Sequence, residues 1–599
     1  MAYNYEKPDN LVDLFETAVV KFGSRPFLGT KDSQGVYQWL TYQELANKVD
    51  LCRSGLSQRG IGIGDTVGFI GGNRWEWAVS AFATYGLGAR FVPMYESEKA
   101  HIREYIIKHS ECKMCIVSKP EVAHEIQKTC ADSAFLKTVL VIDTDAESTS
   151  FATVLKSGIN KPVASNKPLF SDIAALIYTS GTTGDPKGVL LSHGNFTHDA
   201  RAGYTFYKTV LNETSVSLSV LPWAHSYGMV AELYNWLLTG GSIGFMEKVE
   251  TLADDMFKLR PTFLLAVPRV FNKIYAALHK KMKDTGGIKE KLFNWGVAAA
   301  KTKRLLANQG KSSVAVNIKV AIADTLVFSK IRQRFGGRLG GALTASAMMN
   351  VEISYFFWDI GIPVYDAYGL TETSPALAMN RKEDFRIGSV GKTLNAVRIE
   401  IDKSAVGDNS ADGEIVAYGP MVMQGYYKNP EATAAVMTAD GGFRTGDRGR
   451  FDADGFLYIT GRLKEQYKLE NGKYVFPAAI EEEMKLLPYV ENAMVWGEAM
   501  DYNVAIIVPD FAVLAQWAEA AKLKTPMDGI IHNHATQDFI ANEIIQHLRE
   551  NFGGYEVPKK YLFVDEAFTI ENGLLTQTQK LKRRDVFEKY QAQLKALYQ

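Results

Sequence analysis

The sequence has no excess of either charge. Its 599 residues include 67 lysines and arginines and 67 aspartates and glutamates, so the formal net charge is zero. A balanced chain creates no overall electric field that would attract a polyanion. We therefore expect no nucleic-acid partner.

Long apolar runs are also missing. No run approaches the roughly 20 residues that a helix needs to span a bilayer. The stretch from Met1 to Pro8 has neither the basic segment nor the apolar segment of a secretory signal. These absences predict a soluble, cytoplasmic protein.

Cysteine is scarce, with four residues in the whole chain. Cys112 and Cys115 form a Cys-x-x-Cys pair that leads into a strand-like segment, but no second pair accompanies them. A structural zinc site needs four ligands, and a reducing compartment disfavours disulfides. Two packing thiols are a better interpretation than zinc or redox chemistry.

Helix-like and strand-like segments alternate through residues 1–130. A helical repeat follows Asn10, which is a candidate N-cap, and Thr41 and Glu44 form a candidate capping box. The alternation predicts an α/β fold with a largely parallel sheet. The length of the chain predicts more than one domain.

One stretch, Tyr178 to Val189, is dense in glycine, hydroxyl groups and one lysine. It reads Tyr-Thr-Ser-Gly-Thr-Thr-Gly-Asp-Pro-Lys-Gly-Val and follows a buried, strand-like run. We expect a hairpin tip, with a helix starting only near Asn195. The candidate phosphate-binding residues are Thr179, Ser180, Gly181, Thr182, Thr183, Gly184 and Lys187.

Glycine lets backbone N–H groups converge on one anion, and the hydroxyls and the lysine add donors and charge. These features suit a polyphosphate. The stretch is not a Walker A loop, because that motif ends in Lys-Ser/Thr before a helix. The alternative is a surface hairpin without a ligand.

The stretch resembles the phosphate-binding signature of the adenylate-forming superfamily. This superfamily includes acyl-CoA synthetases, luciferases and peptide-synthetase adenylation domains. The segment Tyr365-Asp-Ala-Tyr-Gly-Leu-Thr-Glu372 resembles its second signature. The resemblance implies that Tyr368 stacks on the purine, Thr371 donates to the α-phosphate and Glu372 binds Mg²⁺.

Further nucleotide contacts follow from the resemblance. It assigns Gly341, Ala342, Asp366 and Ala367 to nucleotide binding, and Ala367 stands where many relatives have glycine. The segment from Gly388 to Thr393 ends like a Walker A motif, but we interpret it as a turn before a strand.

The family's ribose site is matched by Asp447 in Thr-Gly-Asp and by Arg462. An ionised carboxylate can accept both ribose hydroxyls. His225, in Pro-Trp-Ala-His, matches the histidine of a family segment that borders the acyl and nucleotide pockets. We expect it to line the pocket rather than act as a general base.

The C-terminal part resembles the family's mobile domain. We predict an N-terminal AMP-binding domain at 1–462, with α/β sheets and a small β-subdomain, and a mobile α+β domain at 463–599. The resemblance makes Lys464 the hinge, Gly472 a contact of coenzyme A and Lys580 the catalytic lysine. Gln577 replaces a proline that is usual in long-chain relatives.

The segment from Lys301 to Arg338 carries nine basic residues and one acidic residue, Asp324. A solvated helix face is the ordinary explanation. The alternative is a peripheral contact with an anionic membrane at its inner face. The long segment also resembles the long-chain branch of the superfamily.

The motifs together predict a long-chain fatty acid–CoA ligase that uses ATP, Mg²⁺ and CoA. Alternatives are a CoA ligase for another hydrophobic carboxylate, or an acyl-AMP ligase that loads a carrier protein. A non-catalytic relative is disfavoured by the joint presence of Lys187, Glu372, Asp447 and Lys580. Acyl chain length and oligomeric state stay open.

Overall fold

The structure is a computed structural model that describes residues 9–179, 185–404, 410–520, 527–576 and 579–599. Its strands are β1 (Pro26–Lys31), β2 (Tyr37–Thr41), β3 (Thr66–Ile70), β4 (Arg90–Met94), β5 (Met114–Val117), β6 (Thr138–Val141), β7 (Ile173–Thr179), β8 (Lys187–Ser192), β9 (Val216–Ser219), β10 (Ser242–Phe245), β11 (Phe263–Ala266), β12 (Gly341–Thr344), β13 (Val364–Gly369), β14 (Ala376–Met379), β15 (Lys392–Thr393), β16 (Arg398–Asp402), β17 (Gly413–Tyr418), β18 (Gly425–Tyr426), β19 (Phe443–Phe451), β20 (Leu457–Arg462), β21 (Tyr467–Lys468), β22 (Tyr474–Val475), β23 (Val490–Trp496), β24 (Val504–Pro509) and β25 (Lys560–Phe563).

The helices alternate with these strands through most of the chain. They are α1 (Leu11–Phe22), α2 (Tyr42–Gln58), α3 (Trp75–Gly86), α4 (Ala100–His109), α5 (Pro120–Thr129), α6 (Phe151–Gly158), α7 (His193–Tyr207), α8 (Asn235–Thr239), α9 (Leu252–Leu259), α10 (Pro268–Thr285), α11 (Gly287–Asn308), α12 (Val314–Ala323), α13 (Ser329–Arg334), α14 (Val351–Asp359), α15 (Pro430–Ala434), α16 (Pro477–Met484), α17 (Phe511–Ala520), α18 (His534–Leu548) and α19 (Arg583–Ala596). Two π-helices span Gly228–Tyr234 and Asp324–Phe328, and short 3₁₀ turns span Val249–Thr251, Thr371–Thr373 and Met527–His532.

Two large sheets form the body of the fold. The seven-stranded sheet has the order β18-β8-β7-β4-β3-β5-β6, and the nine-stranded sheet has the order β15-β14-β13-β12-β11-β9-β10-β1-β2. In the first sheet, β7, β4, β3, β5 and β6 are parallel to one another, and in the second so are β13, β12, β11, β9, β10 and β1. The predicted α/β class with largely parallel sheets is confirmed.

Smaller sheets follow in the C-terminal half. Strands β16, β17, β19 and β20 form an antiparallel four-stranded sheet, and β23, β24 and β25 form a three-stranded sheet that packs with helices. Hydrophobic side chains between Tyr467 and Phe563 form a core cluster of their own. Separate cores are expected for separate domains. The boundary at residues 462 and 463 stays a prediction.

Local signals in the sequence set several helix starts. Asn10 caps α1 by accepting from the backbone N–H of Asp13, and Thr41 forms a capping box with Glu44 at α2, as predicted. Helix α7 begins at His193, two residues before the predicted start, because the Ser192 hydroxyl caps it. A serine N-cap satisfies backbone donors that the first turn leaves free.

All four cysteines are buried free thiols. Cys112, Cys115 and Cys130 pack in one apolar cluster with strands β3, β5 and β6. This matches the predicted packing role. Among the described residues, no cluster of three histidine, cysteine or acidic side chains could hold a metal ion. None of the described helices is both long enough and apolar enough to cross a membrane.

Gly369, at the end of β13, shows how tightly the second signature is packed. A Cβ atom built on Gly369 would lie 1.7 Å from the carbonyl oxygen of Pro375. We expect Gly369→Ala to destabilise the protein by about 1–3 kcal/mol, because backbone on both sides must move. A thermal melt would show a lower Tm.

Gly554→Ala is the matched control, because a Cβ atom there would meet nothing within 4 Å. Its Tm should equal that of the wild type. Equal melting temperatures for Gly369→Ala and Gly554→Ala would contradict the steric argument.

Candidate active site

A cavity of about 2970 Å³ extends between the two large sheets and the C-terminal part of the chain. Ligands of parallel α/β sheets usually bind beyond the carboxyl ends of the strands, and the cavity follows that rule. Twelve of the predicted site residues line it: Thr179, Lys187, His225, Asp366, Ala367, Tyr368, Thr371, Glu372, Asp447, Arg462, Lys464 and Lys580.

The strands on either side of the glycine-rich stretch pair as the predicted hairpin requires. Strands β7 and β8 are antiparallel, with Thr179 opposite Lys187. A Cβ atom on Gly188 would lie 3.0 Å from the Tyr178 ring, so glycine leaves room for that ring here. The predicted phosphate-binding residues Ser180, Gly181, Thr182, Thr183 and Gly184 lie outside the described residues.

Lys187 and Glu372 are connected through Tyr426. The Lys187 ammonium lies 4.9 Å from the centre of the Tyr426 ring. The Tyr426 hydroxyl donates a 2.8 Å hydrogen bond to Oε1 of Glu372. The cation of the hairpin and the carboxylate of the second signature therefore share one positioning side chain.

Sequence reasoning missed the role of Tyr426. Strand β18 pairs with β8, with Tyr426 opposite Val189, at the edge of the seven-stranded sheet. The segment carries no periodic pattern from which this pairing could have been read.

Tyr368, Asp447 and Arg462 form a second group. The Tyr368 hydroxyl donates to Oδ2 of Asp447 over 2.8 Å, and Nε of Arg462 lies 2.8 Å from Oδ1. Asp447 is opposite Arg462 in the β19–β20 ladder. The neighbouring carboxylate raises the pKa of Arg462. The structure thus brings the predicted purine and ribose residues together.

Asp366 lies on β13 and faces the cavity. Burial raises the pKa of its carboxyl to about 8. At neutral pH the group is mostly protonated and can donate a hydrogen bond as well as accept one. A neutral carboxyl is better suited to hydrogen-bond with the uncharged edge of a nucleobase than with a phosphate.

Gly341 and Ala342 do not reach the cavity. They begin β12 and are buried at its amino end, where a Cβ atom on Gly341 would meet the rings of Phe263 and Tyr365 at 3.2 Å. The loop after the strand, from Ala345 to Met349, lines the cavity instead. The sequence prediction placed this contact at the wrong end of the strand.

The predicted turn at Gly388 is present. Gly391 has a left-handed φ of 83°, and the turn leads into β15 and then β16. The Lys392 ammonium lies 2.8 Å from Asp384, so the lysine that imitates a Walker A motif is held by a carboxylate.

The His225 segment is positioned by the polar side chains of Asn73 and Glu232. Asn73 accepts from the backbone N–H of Trp223 over 2.7 Å, and the Trp223 indole donates to Glu232 over 2.8 Å. Glu232 is fully buried in the first π-helix, and burial raises the pKa of its carboxyl. Neither Asn73 nor Glu232 stands out in the sequence.

His225 itself is a neutral imidazole at physiological pH. Burial and the charge of Lys580 lower its pKa to about 4, and its Nδ1 accepts from the backbone N–H of Tyr227 over 3.1 Å. A neutral, hydrogen-bonded ring is compatible with the predicted lining role. The influence of Lys580 also shows that the C-terminal part faces the site.

Lys580 lies in a turn closed by Thr576. The backbone N–H of Lys580 donates to the Thr576 hydroxyl over 3.0 Å, and that of Thr576 donates to the Lys580 carbonyl over 2.8 Å. Burial, together with the charge of Arg462, lowers the pKa of the Lys580 ammonium to about 8. The predicted replacement of proline by Gln577 lies outside the described residues.

Lys464 and Gly472 occupy different surroundings. Lys464 is in the turn after β20, where the backbone N–H of Leu463 donates to Gly446, and it lines the cavity. Gly472 is exposed in the β21–β22 turn, has a φ of 82° and is not among the residues around the cavity. The structure therefore does not bring Gly472 to the other site residues.

Comparisons with known proteins identify the family of this chain. A family model described as AMP-binding enzyme matches residues 15–427. A long-chain-fatty-acid–CoA ligase, FadD15 of Mycobacterium bovis, is 30% identical over 94% of this chain and 93% of its own. The peroxisomal long chain acyl-CoA synthetase 6 of Arabidopsis thaliana is 32% identical over 99% of this chain and 87% of its own.

A solved structure is similar over nearly the whole fold. The A domain of carboxylic acid reductase from Segniliparus rugosus, in complex with AMP and a co-purified carboxylic acid, superposes with a TM-score of 0.77. It is 21% identical and covers 98% of this chain and 94% of its own. The chain belongs to the AMP-binding enzyme family, as the motifs predicted.

The Tyr426 hydroxyl gives a test of the connection to Glu372. We expect Tyr426→Phe to raise the Mg²⁺ concentration for half-maximal ATP–pyrophosphate exchange by roughly tenfold, because a charge-assisted hydrogen bond that orients the carboxylate is lost. The ring that Lys187 contacts is retained. Mg²⁺ titrations of both proteins measure the effect.

Tyr427→Phe is the control, since the Tyr427 hydroxyl donates to Glu111 rather than to Glu372. Its Mg²⁺ dependence should match the wild type. The same Mg²⁺ dependence in both variants would remove the positioning role of Tyr426.

Proposed function

We propose that this protein activates long-chain fatty acids with ATP as acyl-adenylates and then transfers the acyl group to CoA. The observation that carries the proposal is the convergence of Lys187, Glu372, Asp447 and Lys580 on one cavity, each at the position of a family motif. The names of the 30–32% identical relatives support the long-chain substrate.

A free carboxylate cannot acylate a thiol at neutral pH, because its leaving group is too poor. In the first half-reaction a carboxylate oxygen attacks the α-phosphorus of ATP, and the bond to pyrophosphate breaks. The proposed role of the hairpin, with Lys187 at its base, is to hold the β- and γ-phosphates. Thr371 would donate to the α-phosphate.

Nucleotide recognition is proposed for the second group of side chains. Asp447 retains lone pairs beside its bonds to Tyr368 and Arg462, since a carboxylate offers about four acceptor positions. It can therefore accept the ribose hydroxyls. Asp366, as a neutral carboxyl, can hydrogen-bond to the adenine edge, and the loop from Ala345 to Met349 can flank the ring.

A divalent cation fits the donor chemistry of Glu372. Its carboxylate is a hard oxygen ligand at the cavity wall, and Mg²⁺ commonly takes one or two carboxylates together with substrate phosphates. Such binding needs no cluster of three ligating side chains, and the described residues contain none. When bound, the ion would offset negative charge on the phosphates.

Lys580 is proposed to reduce the repulsion between two anions. Its ammonium is close enough to sense Asp447, Glu465 and Glu372, so it faces the same space as the nucleotide groups. A cation placed between the fatty-acid carboxylate and the α-phosphate would stabilise the transition state by roughly 3–4 kcal/mol in a site shielded from water.

The second half-reaction is proposed to use another domain orientation. The CoA thiolate attacks the acyl carbonyl and AMP leaves. Gly472, the proposed CoA contact, is exposed and away from the cavity while Lys580 faces it. A rotation of residues 463–599 about Lys464 would exchange the two. A cytoplasmic location and contact with a membrane surface are also proposals.

The proposal is tested by following AMP release with a long-chain acid such as palmitate, with and without CoA. We expect CoA-dependent AMP release and an acyl-CoA product. Lys580→Ala should suppress ATP–pyrophosphate exchange at least about a hundredfold, yet spare thioester formation from preformed palmitoyl-AMP, because its charge acts on the first step alone.

Equal loss of both half-reactions in Lys580→Ala would contradict the role of Lys580. Activity confined to short or aromatic acids would contradict the long-chain substrate. Adenylation without transfer to CoA would favour the acyl-AMP ligase, which loads a carrier protein instead.

The pH dependence of adenylation follows from the pKa of Lys580. The ammonium is charged below its pKa of about 8 and loses its proton above it. We therefore expect kcat/KM for ATP–pyrophosphate exchange to fall as the pH rises through about 8, since this ratio reports groups of the free enzyme. A pH profile of the exchange reaction measures it.

Lys580→Arg supplies the control, because arginine stays charged well above pH 9. Its exchange rate should be lower in absolute terms but flat across the same alkaline range. An alkaline fall that persists in Lys580→Arg would assign the titration to another group.

A further inference from the structure

Helix α12 and the π-helix that follows it carry an exposed row of aliphatic side chains. Val314, Ile318, Ile322 and Leu326 follow at intervals of four residues and are 76%, 56%, 44% and 45% exposed. Residues four apart lie on one face of a helix. We call these four side chains the aliphatic row. A soluble protein rarely leaves such a row uncovered without a use for it.

The rest of α12 explains why the row faces outward. All ten residues of α12 are described, and of these ten only Ala323 is buried. An ideal Cβ atom on Gly296 of α11 would lie 2.9 Å from the Cβ of Ala323, so the two helices pack closely there. Val316 and Val320 are half-buried and Val320 packs against the core, so they share the inner face with Ala323 and the aliphatic row is left on the outer face.

Basic side chains flank the row. Lys303, Lys311, Lys319 and Lys330 form no ion pair within the part of the chain that the structure describes. The acidic residue of this segment, Asp324, is bound by Arg332 over 2.6 Å. The surface therefore combines an apolar row with uncompensated positive charge.

These two properties together select one kind of partner. A second copy would bring the same positive flanks face to face, which costs energy. A nucleic acid would satisfy the lysines but has little use for four aliphatic side chains. An anionic bilayer satisfies both, since acyl chains accept the row and headgroups pair with the lysines.

We propose that α12 and the end of α11 dock this protein on the surface of an anionic lipid membrane. The docking would be peripheral, with the helix axis in the plane of the interface. The solvated helix face, which is the ordinary explanation of the basic segment, does not account for the aliphatic row.

The position of the surface also suits delivery of an acyl substrate, a point that rests on the proposed function. Asn294 of α11 lines the cavity, and Gly296, two residues further, packs against the C-terminal end of α12. The C-terminal end of α12 therefore packs against the part of α11 that borders the cavity. Membrane docking itself requires no catalysis and is tested without it.

Sedimentation with vesicles of phosphatidylcholine alone, or mixed with phosphatidylglycerol, tests the proposal at low and physiological salt. The wild type should bind the mixed vesicles and lose binding as salt rises. Ile318→Ser combined with Ile322→Ser should weaken binding at least about tenfold. Lys303→Glu, Lys311→Glu and Lys319→Glu together should weaken it about a hundredfold or more.

Matched controls lie elsewhere on the surface. Ile63→Ser with Ile159→Ser removes two isoleucines that are 82% and 66% exposed. Lys128→Glu, Lys156→Glu and Lys161→Glu change the net charge equally at exposed positions. Both controls should bind as the wild type does. All variants should keep wild-type ATP–pyrophosphate exchange with a water-soluble medium-chain acid.

A local probe identifies the surface directly. Because the native cysteines are buried, Ile322→Cys can be labelled selectively with an environment-sensitive fluorophore. Its emission should shift to the blue on anionic vesicles, whereas a label on Ile63→Cys should not respond.

The proposal is overturned if the wild type fails to bind anionic vesicles at low salt. It is also overturned if the control variants lose as much binding as the α12 variants. Self-association that the isoleucine variants abolish would assign the surface to a second copy. Failure of the long-chain substrate with intact vesicle binding would contradict the proposed function alone.

Discussion

The hydrogen bond from Tyr426 to Glu372 is the interaction on which the geometry of the site depends. It exists because β18 pairs with β8, the strand that carries Lys187. One aromatic side chain thus contacts the cation with its ring and the carboxylate with its hydroxyl. Two motifs that are distant in sequence are thereby held at a fixed separation.

Electrostatics determine which charges are available in this geometry. Burial leaves His225 neutral and Asp366 largely protonated, while Asp447 is paired with Arg462. Lys580 stands among these groups with a pKa lowered to about 8. The pKa of this cation, which comes from the C-terminal part of the chain, is thus set by burial and by charged groups such as Arg462 and Asp447 of the site.

Motifs that form one continuous segment were predicted well from the sequence. The β7–β8 hairpin and the Tyr368–Glu372 segment lie at the cavity, and the caps at Asn10 and Thr41 formed as local rules require. The prediction was wrong for Gly341 and Ala342, because a short apolar run does not reveal which end of a strand faces a cavity. Tyr426, Glu232 and Asn73 were missed, since their roles depend on long-range packing.

The sequence by itself determined the fold class, the family and the chemical character of the main site residues, because motif spacing and hydrophobic periodicity are local properties. Tertiary structure decided the rest. It paired β18 with β8, buried Glu232 under Trp223, and turned Lys580 toward the cavity and Gly472 away from it. It also left the aliphatic row exposed. Whether a helix face is covered depends on what packs against it, and no local pattern specifies that.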